Sequence, residues 1–159
     1  MNMFPTPGPE HQWFARHTGI WDAKITTSLF PGAPPVEWKG EVQISVICNG
    51  LWELLDFKGE MSGHPFIGHG VTGFDFMNQH FVQVWVDSMS PAMLQLTGRL
   101  NAEKNCLTMF AEVDTPGGRV KMKQTTRETS AHELIFTIDM PGPGGAEHTM
   151  MRAVYARRR

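Results

Sequence analysis

A period of two in the apolar residues is the feature that most constrains the fold of this chain. Between residues 36 and 48, apolar and small side chains alternate with polar ones. This pattern predicts a half-buried antiparallel strand with one face in solvent. Similar segments recur from Trp21 to the end of the chain, separated by turn signals such as Asn49-Gly50. The sequence therefore predicts roughly ten short strands.

A strand meander of this kind closes most simply as a barrel, because closure removes the exposed strand edges. The predicted fold class is all-β: a closed antiparallel up-and-down barrel of about ten strands, preceded by one short helix over residues 9–17. No internal repeat or linker interrupts residues 1–159, which predicts a single domain. Pro5 and Pro7 favour an extended, flexible arm over residues 1–8.

Charge and composition exclude several classes of partner. The formal net charge is -2 and the isoelectric point is about 6.4, which gives no attraction to nucleic acid or to acidic membranes. The one basic run, Arg157 to Arg159, is interpreted as a solvated tail. No segment approaches the apolar length of a membrane span, and no secretory signal is visible, so a cytoplasmic location is expected.

A predicted hairpin centred on the sequence MNQ combines ionisable and large apolar residues. His69 and Asp75 have the same parity in its first strand, and Gln83, Trp85 and Asp87 have the same parity in its second. Pairing around the MNQ break is expected to bring His69 close to Trp85 and Asp87. His69 then acts as a base or as a polar ligand anchor. In the alternative, the two aspartates only fix turns through backbone hydrogen bonds.

Glu53 interrupts an otherwise apolar strand. Alternation with Leu55 and Phe57 is compatible with a Glu53 that faces inward, and a carboxyl buried without a partner has a raised pKa. Such a group is suited to general acid or base chemistry. The alternative register places Trp52 and Leu54 inside and leaves Glu53 in solvent. Both registers remain open at this point.

A barrel of this size is wide enough for a small ligand when inward side chains do not fill it. The leading hypothesis is binding of a small, mostly apolar molecule, with an unknown physiological role. The expected ligand-binding residues are Glu53, His69, Gln83, Trp85, Asp87, Gln95 and Arg99. The first alternative is an acid–base enzyme of the isomerase or cyclase type that uses His69 or Glu53. The second is a packed barrel that associates with another chain, a homo-oligomer included.

The sequence around Trp21 resembles a known signature. Gly19-Ile20-Trp21 is similar to the GxW motif of the calycin superfamily, which includes lipocalins and fatty-acid-binding proteins. The resemblance implies that Trp21 closes one barrel end beneath an arginine of the last strand, either Arg152 or Arg157. It also implies haem as a further alternative, held by His69 or His148. No histidine pair has metal-ligand spacing with an acidic partner, so neither a metal nor another cofactor is expected.

Most of the chain, from about residue 10 to 155, also resembles a bacterial domain-of-unknown-function family, number 1579, that is allied to calycins. The resembling segments are GIW at Gly19, GHPFIGHGVTGFD at residues 63–75, WVDS at residues 85–88, and Gly98 before a polar turn. Phe74 stands where that family usually has tyrosine, so a hydroxyl is absent there. The resemblance implies the barrel fold and brings no established activity.

Overall fold

The computed structural model describes residues 3–159, in which ten antiparallel strands close into one barrel. Each strand pairs with the next in sequence, and the last pairs with the first, which confirms the predicted fold class. The strands are β1 (Gly19–Thr27), β2 (Val36–Ile47), β3 (Trp52–Met61), β4 (His64–Asp75), β5 (His80–Asp87), β6 (Ser90–Leu100), β7 (Cys106–Thr115), β8 (Gly118–Ser130), β9 (Glu133–Pro141) and β10 (Glu147–Arg157).

The predicted helix is present at the N-terminus. A 3-10 turn at Pro9–His11 leads into α1 (Gln12–His17), and Trp13 and Phe14 are buried on its inner side. Pro at the start of the turn lacks an N–H that would have no partner there. The part of the chain that the structure describes has no helix long and apolar enough to cross a bilayer.

Residues 1 and 2 of the predicted flexible arm lie outside the described residues, and mobility of the arm stays a prediction. Within the described part, Pro7 lies against Gly50 in the turn between β2 and β3. A Cβ atom added at Gly50 would be 2.8 Å from Pro7 Cγ, and its φ of +89° also favours glycine.

The helix covers the barrel end at which β1 begins, and we call this the closed end. The Trp21 indole is fully buried there, and its Nε1 donates a hydrogen bond to the His17 carbonyl over 2.9 Å. The Arg157 guanidinium lies 4.2 Å from the Trp21 ring centroid. It donates hydrogen bonds to the backbone carbonyls of Thr18, Arg16 and Ala131. Arg157 thus has the place that the GxW resemblance implied for an arginine.

The C-terminal arginines are part of the folded structure. Arg158 forms ion pairs with Asp22 on β1 and Glu41 on β2, while Arg157 packs on the closed end. The prediction of a solvated tail is therefore wrong for these two residues. The alternation pattern could not find the contacts, because both partners are distant in sequence.

The two cysteines differ in environment. The apolar, strand-like sequence around each predicts a buried thiol, and Cys106, at the start of β7, is buried. Cys48 is exposed, because it begins the turn Cys48–Gly50 with a φ of +50° instead of continuing β2. The prediction of a second buried thiol is wrong for this reason.

Buried apolar residues form two separate clusters inside the barrel. The first comes from β1, β2, β3, β9 and β10, and consists of Trp21, Ala23, Ile25, Trp38, Val42, Ile44, Phe57, Leu134, Ala153 and Tyr155. The second comes from α1 and β5 to β8, and consists of Trp13, Phe14, Phe81, Leu96, Leu107, Met109, Ala111 and Met122. The barrel therefore has two apolar walls rather than one continuous core.

Candidate functional site

A row of polar side chains lies on the inner wall of the barrel. Glu53 on β3 is opposite Thr72 on β4, and Thr72 is opposite Gln83 on β5. The Gln83 amide oxygen accepts a hydrogen bond from Nε2 of Gln124 on β8, over 3.0 Å. Strand alternation gives all four the parity of buried neighbours such as Phe57. We call Glu53, Thr72, Gln83 and Gln124 the polar row.

Glu53 is the exceptional member of the polar row. Its exposed fraction is 7%, and no residue of 3–159 forms a hydrogen bond or an ion pair with it. Burial alone raises the pKa of its carboxyl to about 8. The structure thus has the register in which Glu53 faces inward, and near neutral pH most of this carboxyl carries its proton.

Inward-facing residues beside the polar row are more exposed than the residues of the two clusters, although several of them pack against those clusters. Several inward-facing residues of different strands are only half-buried: Leu55, Gln83, Trp85, Leu94, Gln124, Phe136, Ile138 and Met151. Residues that face inward and still contact solvent indicate an accessible interior. We call the barrel end opposite α1, where the loops after β1 and β9 lie, the open end, because no helix covers it.

Trp85 is held in a fixed position on the inner wall. Its ring lies over Gly68 and Gly70 of β4, and a Cβ atom added at Gly68 would be 2.2 Å from the ring. The Trp85 Nε1 donates to Asp87 Oδ2 over 2.8 Å, while Asp87 Oδ1 accepts from the backbone amides of residues 89 and 90. Asp87 therefore fixes the turn, as the alternative interpretation had it, and also orients Trp85.

His69 lies on the outer wall, exposed over 53% of its side chain, with Nδ1 2.6 Å from an Asp56 carboxylate oxygen. The prediction that His69 shares a face with Trp85 and Asp87 is wrong, because the β4–β5 register aligns it with Val86. The glycines on either side of His69 make room for the Trp85 ring on the opposite face. A role for His69 inside the barrel is therefore incompatible with this geometry.

Gln95 and Arg99 also lie on the outer wall. Gln95 lines a groove of about 240 Å³ whose other walls include Trp52, Val71 and Val82. Arg99 donates a hydrogen bond to the Gln79 carbonyl over 2.7 Å and so supports the turn between β4 and β5. Of the seven predicted ligand-binding residues, the structure brings four to the inner wall: Glu53, Gln83, Trp85 and Asp87.

Thr72 and Gln124 are inner-wall residues that the sequence did not single out. The signal was present, because each has the parity of apolar neighbours on its own strand. His148, one of the two haem candidates, has Nε2 2.8 Å from the Ser28 carbonyl oxygen, so this nitrogen is engaged. Within residues 3–159, no three side chains of His, Cys, Asp or Glu converge as metal ligands.

Comparison with known proteins agrees with the barrel fold. The model of a family described as protein of unknown function (DUF1579) matches residues 6–157. The solved structure of Rv2717c from M. tuberculosis is similar, with 15% identity, a TM-score of 0.70, and coverage of 96% of this chain and 99% of that chain. The S-type phycobiliprotein lyase CPES from Guillardia theta has 12% identity, a TM-score of 0.64, and coverage of 96% and 99%. No curated protein matches the chain.

Proposed function

We propose that this chain, which belongs to the DUF1579 family of proteins of unknown function, binds a small, mostly apolar molecule inside its barrel. Ligand sites combine apolar walls with a few placed polar groups. The two apolar clusters supply the walls, and the polar row with Trp85 supplies the placed groups. The ligand enters through the open end and lies against Glu53.

The observation that carries this proposal is the missing partner of Glu53. Buried polar groups in folded proteins nearly always have a hydrogen-bond partner, because an unpaired one costs about 1–3 kcal/mol or more. The Glu53 side chain is 7% exposed and has no hydrogen-bond partner within residues 3–159, and its carboxyl oxygens are not fully sealed from solvent, which supports access by another molecule. A bound molecule that offers a polar group to Glu53 removes this cost.

A second candidate function is acid–base catalysis in the same interior. The pKa of about 8 gives Glu53 a protonation state that changes close to neutral pH, as a general acid or base requires. One barrel of similar fold bears the name of a lyase, which is a property of that protein. Under this alternative, Glu53→Gln abolishes turnover of a substrate while its binding persists, and unchanged turnover in Glu53→Gln eliminates the alternative.

Binding inside the barrel is tested with Nile red, an uncharged apolar dye whose fluorescence rises in apolar sites. Leu94 faces inward beside Trp85, and its neighbour Met93 points outward and is 57% exposed. Leu94→Trp therefore narrows the interior, whereas Met93→Trp adds the same side chain outside. We expect Leu94→Trp to weaken Nile red binding roughly tenfold, because it takes up space that the dye needs. Met93→Trp is expected to change it less than about twofold.

Two outcomes contradict the proposal. The first is no saturable Nile red binding to the unmodified chain. The second is binding that Leu94→Trp leaves unchanged and that Val84→Lys in the outer-wall groove removes, since this places the dye outside the barrel. Native mass spectrometry of freshly purified protein adds an independent readout, because a co-purified molecule appears as a mass increment that Leu94→Trp reduces.

A further inference from the structure

By strand alternation, the inward-facing Asp, Glu, Lys and Arg side chains of the ten strands are three carboxyl groups and one arginine. Strand alternation gives inward parity to the carboxyl groups of Glu53, Asp87 and Glu128. No lysine of residues 19–157 has inward parity, and the one arginine that does is Arg157. Its guanidinium is taken up at the closed end by three backbone carbonyls and the Trp21 ring. A ligand in the interior of the described barrel therefore meets carboxyl groups and no free lysine or arginine. The two histidines of inward parity, His64 and His148, lie near the open end, and His148 Nε2 is 2.8 Å from the Ser28 carbonyl oxygen.

Within residues 3–159, only one of these three acidic groups is without a hydrogen-bond or ion-pair partner. Asp87 accepts hydrogen bonds from the Trp85 indole and from its own turn. Glu128 lies 2.7 Å from His17 Nε2 and 3.0 Å from Arg16 Nε. Glu53 has Val46 of β2 and Thr72 of β4 beside it, and no charged side chain acts on it. Glu53 is therefore the inner-wall carboxyl group that is free to pair with a ligand.

We propose that the natural ligand is an apolar amine whose ammonium group pairs with the Glu53 carboxylate, an inference that rests on the proposed function of the barrel interior. Charge-assisted hydrogen bonds between ammonium and carboxylate are about twice as strong as neutral ones. The apolar part of the ligand packs on the two clusters and on the Trp85 ring. A fatty acid is disfavoured, because burial of its carboxylate is costly where no free lysine or arginine lies on the inner wall to pair with it.

Pairing changes the protonation of Glu53. Near pH 7 the free protein holds Glu53 as the carboxylic acid, and an aliphatic amine in water is already an ammonium ion. Formation of the ion pair requires the Glu53 O–H bond to break, and the proton passes to water. Binding is therefore expected to release about one proton for each amine bound. An uncharged ligand of the same length releases none.

The test compares three competitors of equal chain length for bound Nile red: dodecylamine, 1-dodecanol and dodecanoate, each below its aggregation concentration. We expect dodecylamine to displace the dye about tenfold more tightly than 1-dodecanol, and dodecanoate to be the weakest. Glu53→Gln is expected to remove the preference for the amine and to keep binding of 1-dodecanol. Glu60→Gln removes a carboxylate from the exposed side of the same strand and is expected to retain the preference.

Calorimetry of dodecylamine binding in two buffers of different ionisation enthalpy measures the released proton directly. The proposal expects about one proton at pH 7 for the unmodified chain and none for Glu53→Gln. Equal affinity for the three competitors, a preference for dodecanoate, or no proton release overturns the amine proposal while interior binding stands. Absence of saturable binding by Nile red and by all three competitors overturns the proposed function itself.

Discussion

The closed end and the polar row differ in whether their buried polar groups have hydrogen-bond partners. At the closed end, Arg157 and the Trp21 indole donate hydrogen bonds to backbone carbonyls, and His17 is paired with Glu128. Burial lowers the pKa of His17, and the hydrogen bond to Glu128 offsets part of this effect. Glu53, in the polar row, has no such partner. The closed end thus pairs its buried polar groups within the protein, apart from Nε2 of His11, whereas Glu53 is left to the ligand that we propose.

The largest change in the free energy of unfolding is expected at the closed end. Trp21→Ala removes a fully buried indole that seals the barrel, and core Trp→Ala substitutions cost about 3–5 kcal/mol. The free energy of unfolding, measured with urea, is expected to fall by this amount. A loss below about 1 kcal/mol contradicts the structural role that we assign to the closed end.

In the polar row, the substitution Glu53→Gln is expected to raise the free energy of unfolding at pH 7. The pKa of Glu53 rises from 4.5 to about 8 on folding, so the native state disfavours the ionised carboxyl. Stability is therefore full below pH 4.5 and decreases as the pH rises toward 8. At pH 7 this penalty is about 3 kcal/mol, and Glu53→Gln is expected to remove it. At pH 4 the variant and the unmodified chain are expected to unfold with nearly equal free energies.

A carboxyl that has partners is expected to respond differently from Glu53. Glu128→Gln replaces the charged partner of His17 and Arg16 at the closed end. Loss of these charge-assisted hydrogen bonds is expected to lower the free energy of unfolding at pH 7 by about 1 kcal/mol. Urea denaturation measures this change. If Glu128→Gln instead raises the free energy of unfolding as much as Glu53→Gln does, the contrast between a paired and an unpaired carboxyl group is contradicted.

The smallest effect is expected on the outer wall. His69→Ala breaks an exposed contact with Asp56, and exposed pairs contribute about 0–1 kcal/mol. Its affinity for Nile red is expected to equal that of the unmodified chain within about twofold. A large loss of affinity in a folded His69→Ala protein contradicts the assignment of binding to the interior.

The sequence predicted the barrel more completely than the site. The period of two and the turn residues were enough for the ten strands, and Gly19-Ile20-Trp21 pointed to the contact with Arg157. The face of β4 was the difficulty. Gly68 and Gly70 remove side chains from its inner face, so the apolar alternation that normally identifies that face is missing. His69 was placed on the wrong side for this reason.

Gln95 and Arg99 show a related limit. Both are polar residues on a strand that contains apolar residues of either parity, since Met93 on the outer wall and Leu94 on the inner wall are adjacent. Parity within one strand does not identify the inner face without the register to its neighbours. Glu53 met the same limit, because Trp52 and Leu54 left both registers of β3 open, and the pairing with β2 that places Glu53 opposite Val46 decided between them.

Direct titration of the Glu53 carboxyl carbon by NMR, in protein labelled with ¹³C-glutamate and assigned with Glu53→Gln, tests the central claim most directly. The account predicts a pKa of about 8 in the ligand-free protein, displaced downward when dodecylamine is bound. A pKa close to 4.5 in the free protein means that this carboxyl is hydrated or paired, and it contradicts an unpartnered acid inside the barrel.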